Sequence, residues 1–204
     1  MLVENQAGCV ENFFSESQIA MFRKIFASET LKDTYSGEGE TQTIGVHENN
    51  IVYPIFEKEF MEPVSKYFQQ DLKVVFSMFA DCKNPFDIHD DCGEHIRLGL
   101  PGKPWISCLI PLSVDNDVNK THMASTVIFN EKDYREQKDP NCDHLFEEKF
   151  SHVERSKLSC LTMKAEYQWK RADMIWWYSP LCHTSTHFKN FSSKQMLVCH
   201  TYIV

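Results

Sequence analysis

The sequence lacks the features that would put it in a membrane, on a nucleic acid or in an oxidising compartment. No apolar run approaches the roughly 20 residues that a bilayer-crossing helix needs. The N-terminus, MLVENQAGCVENFF, has neither the basic flank nor the apolar stretch of a signal peptide. A cytoplasmic protein with no membrane partner is the expectation. Basic residues do not cluster: the longest group, as at Lys170-Arg171, is two residues, and the formal net charge is −8 with a pI near 5.6. Phosphate backbones are bound by grouped Lys and Arg, so nucleic acid is not an expected partner. No CxxC pair is present, which removes the usual framework for structural zinc. The eight cysteines are scattered, and several sit in apolar runs (Cys108 in WISCLIPL, Cys199 in MLVCHTYIV), where a reduced thiol acts as a small hydrophobe. Internal repeats, low-complexity tracts and Gly/Ser linkers are also missing, so 204 residues suit a single domain, 1–204.

What is present is a run of helical patterns followed by a run of strands. A short strand is expected around Cys9 to Phe13. Ser15-x-x-Gln18 then has the form of a capping box, and Ile19, Phe22, Ile25 and Phe26 recur at helical spacing. A second helical pattern covers about Ile55 to Gln69, with Phe56, Phe60, Val64 and Tyr67 on one side and Pro63 set to kink or split it. Between them, Thr34 to Asn50 reads as a flexible loop. From residue 72, LKVVFSMFAD, PWISCLIPLSV, ASTVIFN, LSCLTMKAEYQW, ADMIWWYS and KQMLVCHTYIV are rich in β-branched and aromatic residues, separated by turn formers such as Asn84-Pro85. This order predicts an α+β fold, a β-sandwich or barrel with helices on one side. The charged stretch from Glu131 to about Lys157 reads as an insertion at the rim, with a helix near His144 to Val153.

The chemistry centres on FDIHDDCGEH. On an extended backbone His89 and Asp91 project to the same side, so an imidazole and a carboxylate can converge on one metal ion. The best third ligand is His183, which closely follows the apolar run ADMIWW. Two His and one carboxylate on one face of an octahedron leave three positions open, the arrangement of oxygen-activating iron(II) sites. The bland alternative is a polar turn leading into a strand. His152-x-Glu154 has the same grammar but lies in the charged insertion, where a helix would turn the two side chains apart. Lys194, eleven residues after His183, starts the last strand and could neutralise a carboxylate held near the metal, or could simply be solvated. Strand parity puts Lys194, Met196, Val198 and His200 on one face, so His200 shares that wall. Trp105, Trp176 and Trp177 are candidate pocket residues, with core the better role for at least two of them.

Taken in order, VENFFSESQ, FDIHDD, KPWISCLIPLS, STVIFN, KRADMIWWYSPLCHTS and SSKQMLVCHTYIV resemble the 2-oxoglutarate- and iron(II)-dependent oxygenases, nearest the prolyl-4-hydroxylase-like branch. The resemblance spans most of residues 8–204, excepting the charged insertion and the 30–70 region. It implies a double-stranded β-helix, a jelly-roll relative of the cupins, with N-terminal helices packed on one side. It implies His89, Asp91 and His183 as iron ligands, and Lys194 as partner of the distal carboxylate of 2-oxoglutarate. That carboxylate usually gains a hydroxyl partner, for which Thr126, Ser107 and Tyr35 are candidates. Ascorbate is an implied auxiliary. One departure is Ala172, where the family commonly has Gly before Asp173.

The implied reaction is hydroxylation of an aliphatic C–H by O2, with 2-oxoglutarate decarboxylated to succinate. A carboxylate at Asp91 favours hydroxylation over halogenation, because related halogenases carry a small residue there. A peptide, an amino acid or another small molecule is the expected substrate, and the acidic surface favours a neutral or cationic one. Two other readings stay open at this level: a cupin-like metalloenzyme working without 2-oxoglutarate, and a non-catalytic jelly-roll binding module.

Overall fold

A computed structural model of the chain describes residues 3–28, 42–46, 51–130, 142–158 and 161–204. Among these residues nine strands form two antiparallel sheets. The larger has the order β1-β7-β4-β9-β3-β2, from β1 (Ala7–Val10), β2 (Gln42–Gly45), β3 (Lys73–Cys82), β4 (Lys103–Val114), β7 (Met174–Tyr178) and β9 (Lys194–Ile203). The smaller is β6-β5-β8, from β5 (Ser125–Phe129), β6 (Met163–Gln168) and β8 (His183–Ser185). With its helices this is the expected α+β class. Prolines set the irregularities of β4. Its register against β9 shifts after Pro104 and after Pro111, where a residue without an N–H cannot extend the ladder.

Side chains alternate across the large sheet. One face, with Phe79, Cys108, Ile110, Trp176 and Leu197, is covered by helices α1 (Glu16–Ala27), α2 (Tyr53–Phe56) and α3 (Glu62–Phe68). The other, with Ala80, Leu109, Ile175, Trp177 and Val198, packs with Ala124, Ile128 and Trp169 from the small-sheet region. The capping box forms as expected: Gln18 N–H donates to Ser15 Oγ and Ser15 N–H to Gln18 Oε1. The same Gln18 answers the break at Pro63. A proline at 63 leaves the carbonyl of Glu59, four residues back, without its helical donor, and Gln18 Nε2 donates to that oxygen at 3.1 Å. The helix splits there through a wide π turn over Glu57–Met61.

Several elements differ from the sequence expectation. The wide turn delays the helix's phase, so the buried series runs Phe56, Phe60, Val64, Phe68, and Tyr67 is left 41% exposed. The first strand is Ala7–Val10 instead of Cys9 to Phe13. Asn12 takes a left-handed φ of 51°, and its N–H donates to Asp173 Oδ1, which turns the chain. The 34–50 segment contains β2, while 34–41, with Tyr35, and 47–50 lie outside the described residues. In the charged insertion the helices are α5 (Cys142–Lys149) and α6 (Arg155–Leu158), so His152 sits in the turn between them. Phe150, Val153 and Leu158 bury against Val127 and Phe129 of β5, which ties this stretch to the small sheet. Helix α4 (Cys92–Leu98), directly after Asp91, was not expected.

Candidate metal centre and its pocket

The three ligand candidates come from two chain segments that meet edge to edge. His89 and His183 form an isolated antiparallel bridge, with backbone bonds of 3.2 and 2.8 Å in the two directions. Asp91 is not on an extended strand. It lies at the N-terminal boundary of α4 with φ −99° and ψ 14°, and its N–H donates to Ser179 O. One ligand atom from each of His89, Asp91 and His183 lies within 4.8 Å of the others. Asp91 Oδ1 is 3.9 Å from His89 Nε2 and 3.6 Å from His183 Nε2.

Local hydrogen bonds fix both imidazoles. His89 Nδ1 is 2.7 Å from Asp87 O, and His183 Nδ1 is 3.2 Å from Leu181 O. A carbonyl can only accept, so each Nδ1 carries the hydrogen and each Nε2 presents a lone pair to the centre. Burial pushes the His183 imidazole down to about 3, against the pull of Asp91, which keeps it neutral at physiological pH. Burial alone would raise the Asp91 carboxyl. The neighbouring His183 and His200 more than offset it and hold the group below the usual carboxylate range. The result is two imidazoles, each with Nε2 turned to the centre, and one carboxylate. His183 is buried, whereas the His89 side chain is 44% exposed, so the centre opens to solvent on the His89 side.

A cavity of about 100 Å³ runs from this centre into the space between the sheets. All four residues that parity put on one face of β9 line it: Lys194, Met196, Val198 and His200. Lys194 is 2% exposed and, among the described residues, has no salt bridge. Its ammonium lies 4.8 Å from the Trp169 ring centroid and 5.5 Å from that of Phe188. Burial lowers it to about 8. Thr126 lines the same cavity, and its hydroxyl oxygen accepts Trp169 Nε1–H at 2.9 Å, leaving its own hydrogen to donate. Ser107 is elsewhere, bonded to Ser179 and His200.

One residue, Ser185, and one contact, the Trp177 bond to Asp91, were missed by sequence reasoning. Ser185 pairs with Thr126 across β5 and β8, lines the cavity, and has a buried hydroxyl without a partner among the described residues. Its place depends on a three-residue strand with no periodic signal. Trp177, one of three candidate tryptophans, lines the cavity and donates Nε1–H to Asp91 Oδ2 at 2.9 Å, while Trp105 and Trp176 lie in the helix-side core.

No protein-family model matches the sequence, and no curated protein is similar to it. Solved structures do match. The non-haem α-ketoglutarate (2-oxoglutarate)-dependent epimerase SnoN of nogalamycin biosynthesis shares 10% identity at a TM-score of 0.61, over 97% of this chain and 78% of its own. HygX from Streptomyces hygroscopicus, with nickel and 2-oxoglutarate bound, shares 10% at 0.59, over 97% and 83%. The viral collagen prolyl hydroxylase of Paramecium Bursaria Chlorella virus-1, in its 2-oxoglutarate complex, shares 8% at 0.54, over the full length of both chains. The fold is that of the 2-oxoglutarate-dependent non-haem enzymes. A prolyl hydroxylase is among these structural neighbours, in line with the resemblance read from the sequence. Identity this low carries the fold and leaves activity to the residues of the site.

Proposed function

We propose that this protein is an iron(II)- and 2-oxoglutarate-dependent oxygenase that hydroxylates an aliphatic C–H of a peptide, an amino acid or another small molecule. The observation that carries the reading is the pairing of two features in one cavity. Two imidazoles and a carboxylate converge at its mouth, and a buried lysine with no carboxylate partner among the described residues lies along its wall. The donor set suits iron(II): two imidazole nitrogens and one carboxylate oxygen, with the remaining side open. His89, Asp91 and His183 would hold the metal. Lys194 would take the distal carboxylate of 2-oxoglutarate, with hydroxyl donors from Thr126 and the unpartnered Ser185.

Bound iron with 2-oxoglutarate and O2 supplies the oxidising power, with release of succinate and CO2. The chain's own part is to orient and to exclude water. The apolar wall of Met78, Leu109, Met196 and Val198 keeps the cavity dry, and the exposed side at His89 leaves room for a substrate. The carboxylate at Asp91 favours hydroxylation over halogenation. The described neighbours include an epimerase and a carbocyclase, so the pose of the substrate would set the outcome. We take the chain as a single domain, with the two sheets forming a double-stranded β-helix. Thiols such as those of Cys9, Cys92, Cys108 and Cys199 suit a reducing, cytoplasmic setting.

The test is anaerobic titration of iron(II)-loaded protein with 2-oxoglutarate, followed by visible absorption. A charge-transfer band from keto-acid chelation is expected in the wild type, absent in His183→Ala and weakened in Lys194→Ala. Succinate release then screens substrates. Bound metal without a band would point to a cupin-like enzyme independent of 2-oxoglutarate; no bound metal would leave a binding module.

A further inference from the structure

Strand parity put His200 on the wall that Lys194 shares; it lines the cavity, and its polar contacts are with Asp91 and Ser107. Asp91 uses its two oxygens differently. Oδ1 faces the Nε2 atoms of His89 and His183, at 3.9 and 3.6 Å. Oδ2 turns away from them, accepts Trp177 Nε1–H at 2.9 Å, and lies 3.3 Å from His200 Nδ1. That Nδ1 is also 2.9 Å from Ser107 Oγ, which is 3.1 Å from Ser179 Oγ. A carboxylate can only accept, so a hydrogen on Nδ1 would face Asp91 Oδ2 and Ser107 Oγ together, and the Ser107 and Ser179 hydroxyls bond to each other. Ser179 closes the loop through its backbone, because its carbonyl accepts the Asp91 N–H at 3.1 Å. The ring itself is held from the side by Phe76, stacked at 6.1 Å and 10°.

We propose that His200 and Trp177 are positioning residues that pin Asp91 Oδ2, so that Asp91 offers the metal Oδ1 alone. The inference rests on the metal reading of the triad and deepens it. A carboxylate free to rotate would present either oxygen, or both, and would occupy coordination space that the cosubstrate needs. With Oδ2 bonded to Trp177 Nε1–H and 3.3 Å from His200 Nδ1, one oxygen and one orientation remain. Outer hydrogen bonds of this kind typically govern metal affinity by about 10–100-fold.

The test uses cobalt(II) alone, binding to the full chain, with visible spectra recorded alongside affinity. His200→Phe keeps a flat ring against Phe76 but removes the N–H. His200→Asn loses the ring but sets an amide N–H close to the position of Nδ1. The positioning role predicts that His200→Phe weakens cobalt binding by about tenfold or more and changes the d–d band intensity, which follows coordination number. His200→Asn should stay within about threefold of wild type with an unchanged spectrum. Trp177→Phe should behave like His200→Phe. Thermal melts identify any variant that has not folded, and the remaining ones decide. A packing role predicts the reverse order, with Phe benign and Asn damaging, and that result would overturn the proposal, as would equal losses in both. Failure of the metal reading looks different: wild type would not bind cobalt, or His183→Ala would bind it equally well.

Discussion

The two faces of the six-stranded sheet are built on opposite principles. Against the helices, Phe14, Phe22, Phe56, Phe60 and Phe68 fill a dry interior, with Phe60 stacked 4.9 Å from Phe56 and 5.7 Å from Phe14. Across the same backbone, the opposite face buries Asp91, His183, Lys194 and Ser185 around a cavity. Burying apolar area stabilises, while burying charge costs unless it is paired. The helix side therefore supplies stability that the cavity side gives up, and the strands between them transmit one to the other.

The largest effect should come from the helix side. Phe60 is 0% exposed, and Phe60→Ala should cost about 3–5 kcal/mol of stability in denaturant melts. Metal affinity of the folded fraction should not change. His183→Ala should invert the pattern, removing metal binding while costing about 1–2 kcal/mol. If Phe60→Ala also abolished metal binding in the folded protein, the separation of the two faces would be wrong.

Lys194→Met sharpens the contrast within the cavity face. A buried ammonium without a counter-ion opposes folding, so an apolar side chain of similar length should raise stability by about 1–3 kcal/mol. The same change should weaken 2-oxoglutarate binding by about a hundredfold, about 2.7 kcal/mol. Calorimetry reads both. A loss of stability would mean that the contacts with Trp169 and Phe188 outweigh the burial of charge.

The pH dependence follows from the same residue. Lys194 is lowered to about 8 in the folded protein, against 10.5 for an ordinary lysine. Above pH 8 the free protein loses the ammonium, so 2-oxoglutarate affinity should fall about tenfold per pH unit. Stability moves the other way. Between 8 and 10.5 the unfolded chain binds a proton that the folded chain does not, so the cofactor-free fold should become more stable as pH rises. Isothermal titration at pH 7, 8 and 9 beside denaturant melts would show the two curves diverging, and parallel curves would remove Lys194 from the carboxylate site.

How much of this was legible follows from how local each signal is. His89 and Asp91 are two residues apart, and His183 and Lys194 follow or begin apolar runs, so spacing and parity were enough to nominate them. Thr126 could not be told from Ser107 by sequence, because the difference is which sheet each faces: β5 brings Thr126 beside Lys194, while β4 gives Ser107 to His200. Ser185, the Trp177 bond to Asp91 and helix α4 depend on register between distant strands or on elements too short for a periodic pattern. The π turn was half visible. Pro63 announced a break, but not that Gln18 would satisfy the carbonyl it leaves.

The smallest effect belongs at Ala172, where both faces are anchored to the N-terminus. Ala172 has φ 68°, the left-handed region that a Cβ disfavours by about 1–2 kcal/mol. The turn is kept because its partners over-determine it. Ala172 O accepts Phe14 N–H at 3.0 Å, and the next carboxylate, Asp173, accepts Asn12 N–H at 2.9 Å, so the chain leading into α1 is tied to the start of β7. Ala172→Gly relieves the strain but gives the unfolded chain more freedom, a cost of about 0.4–1 kcal/mol. The net gain should be below about 1 kcal/mol in denaturant melts, with metal and 2-oxoglutarate affinities unchanged. A clear loss of stability instead would show that the buried methyl packs against the helix-side core strongly enough to outweigh the strain, which would make this turn part of that core and not a hinge between the faces.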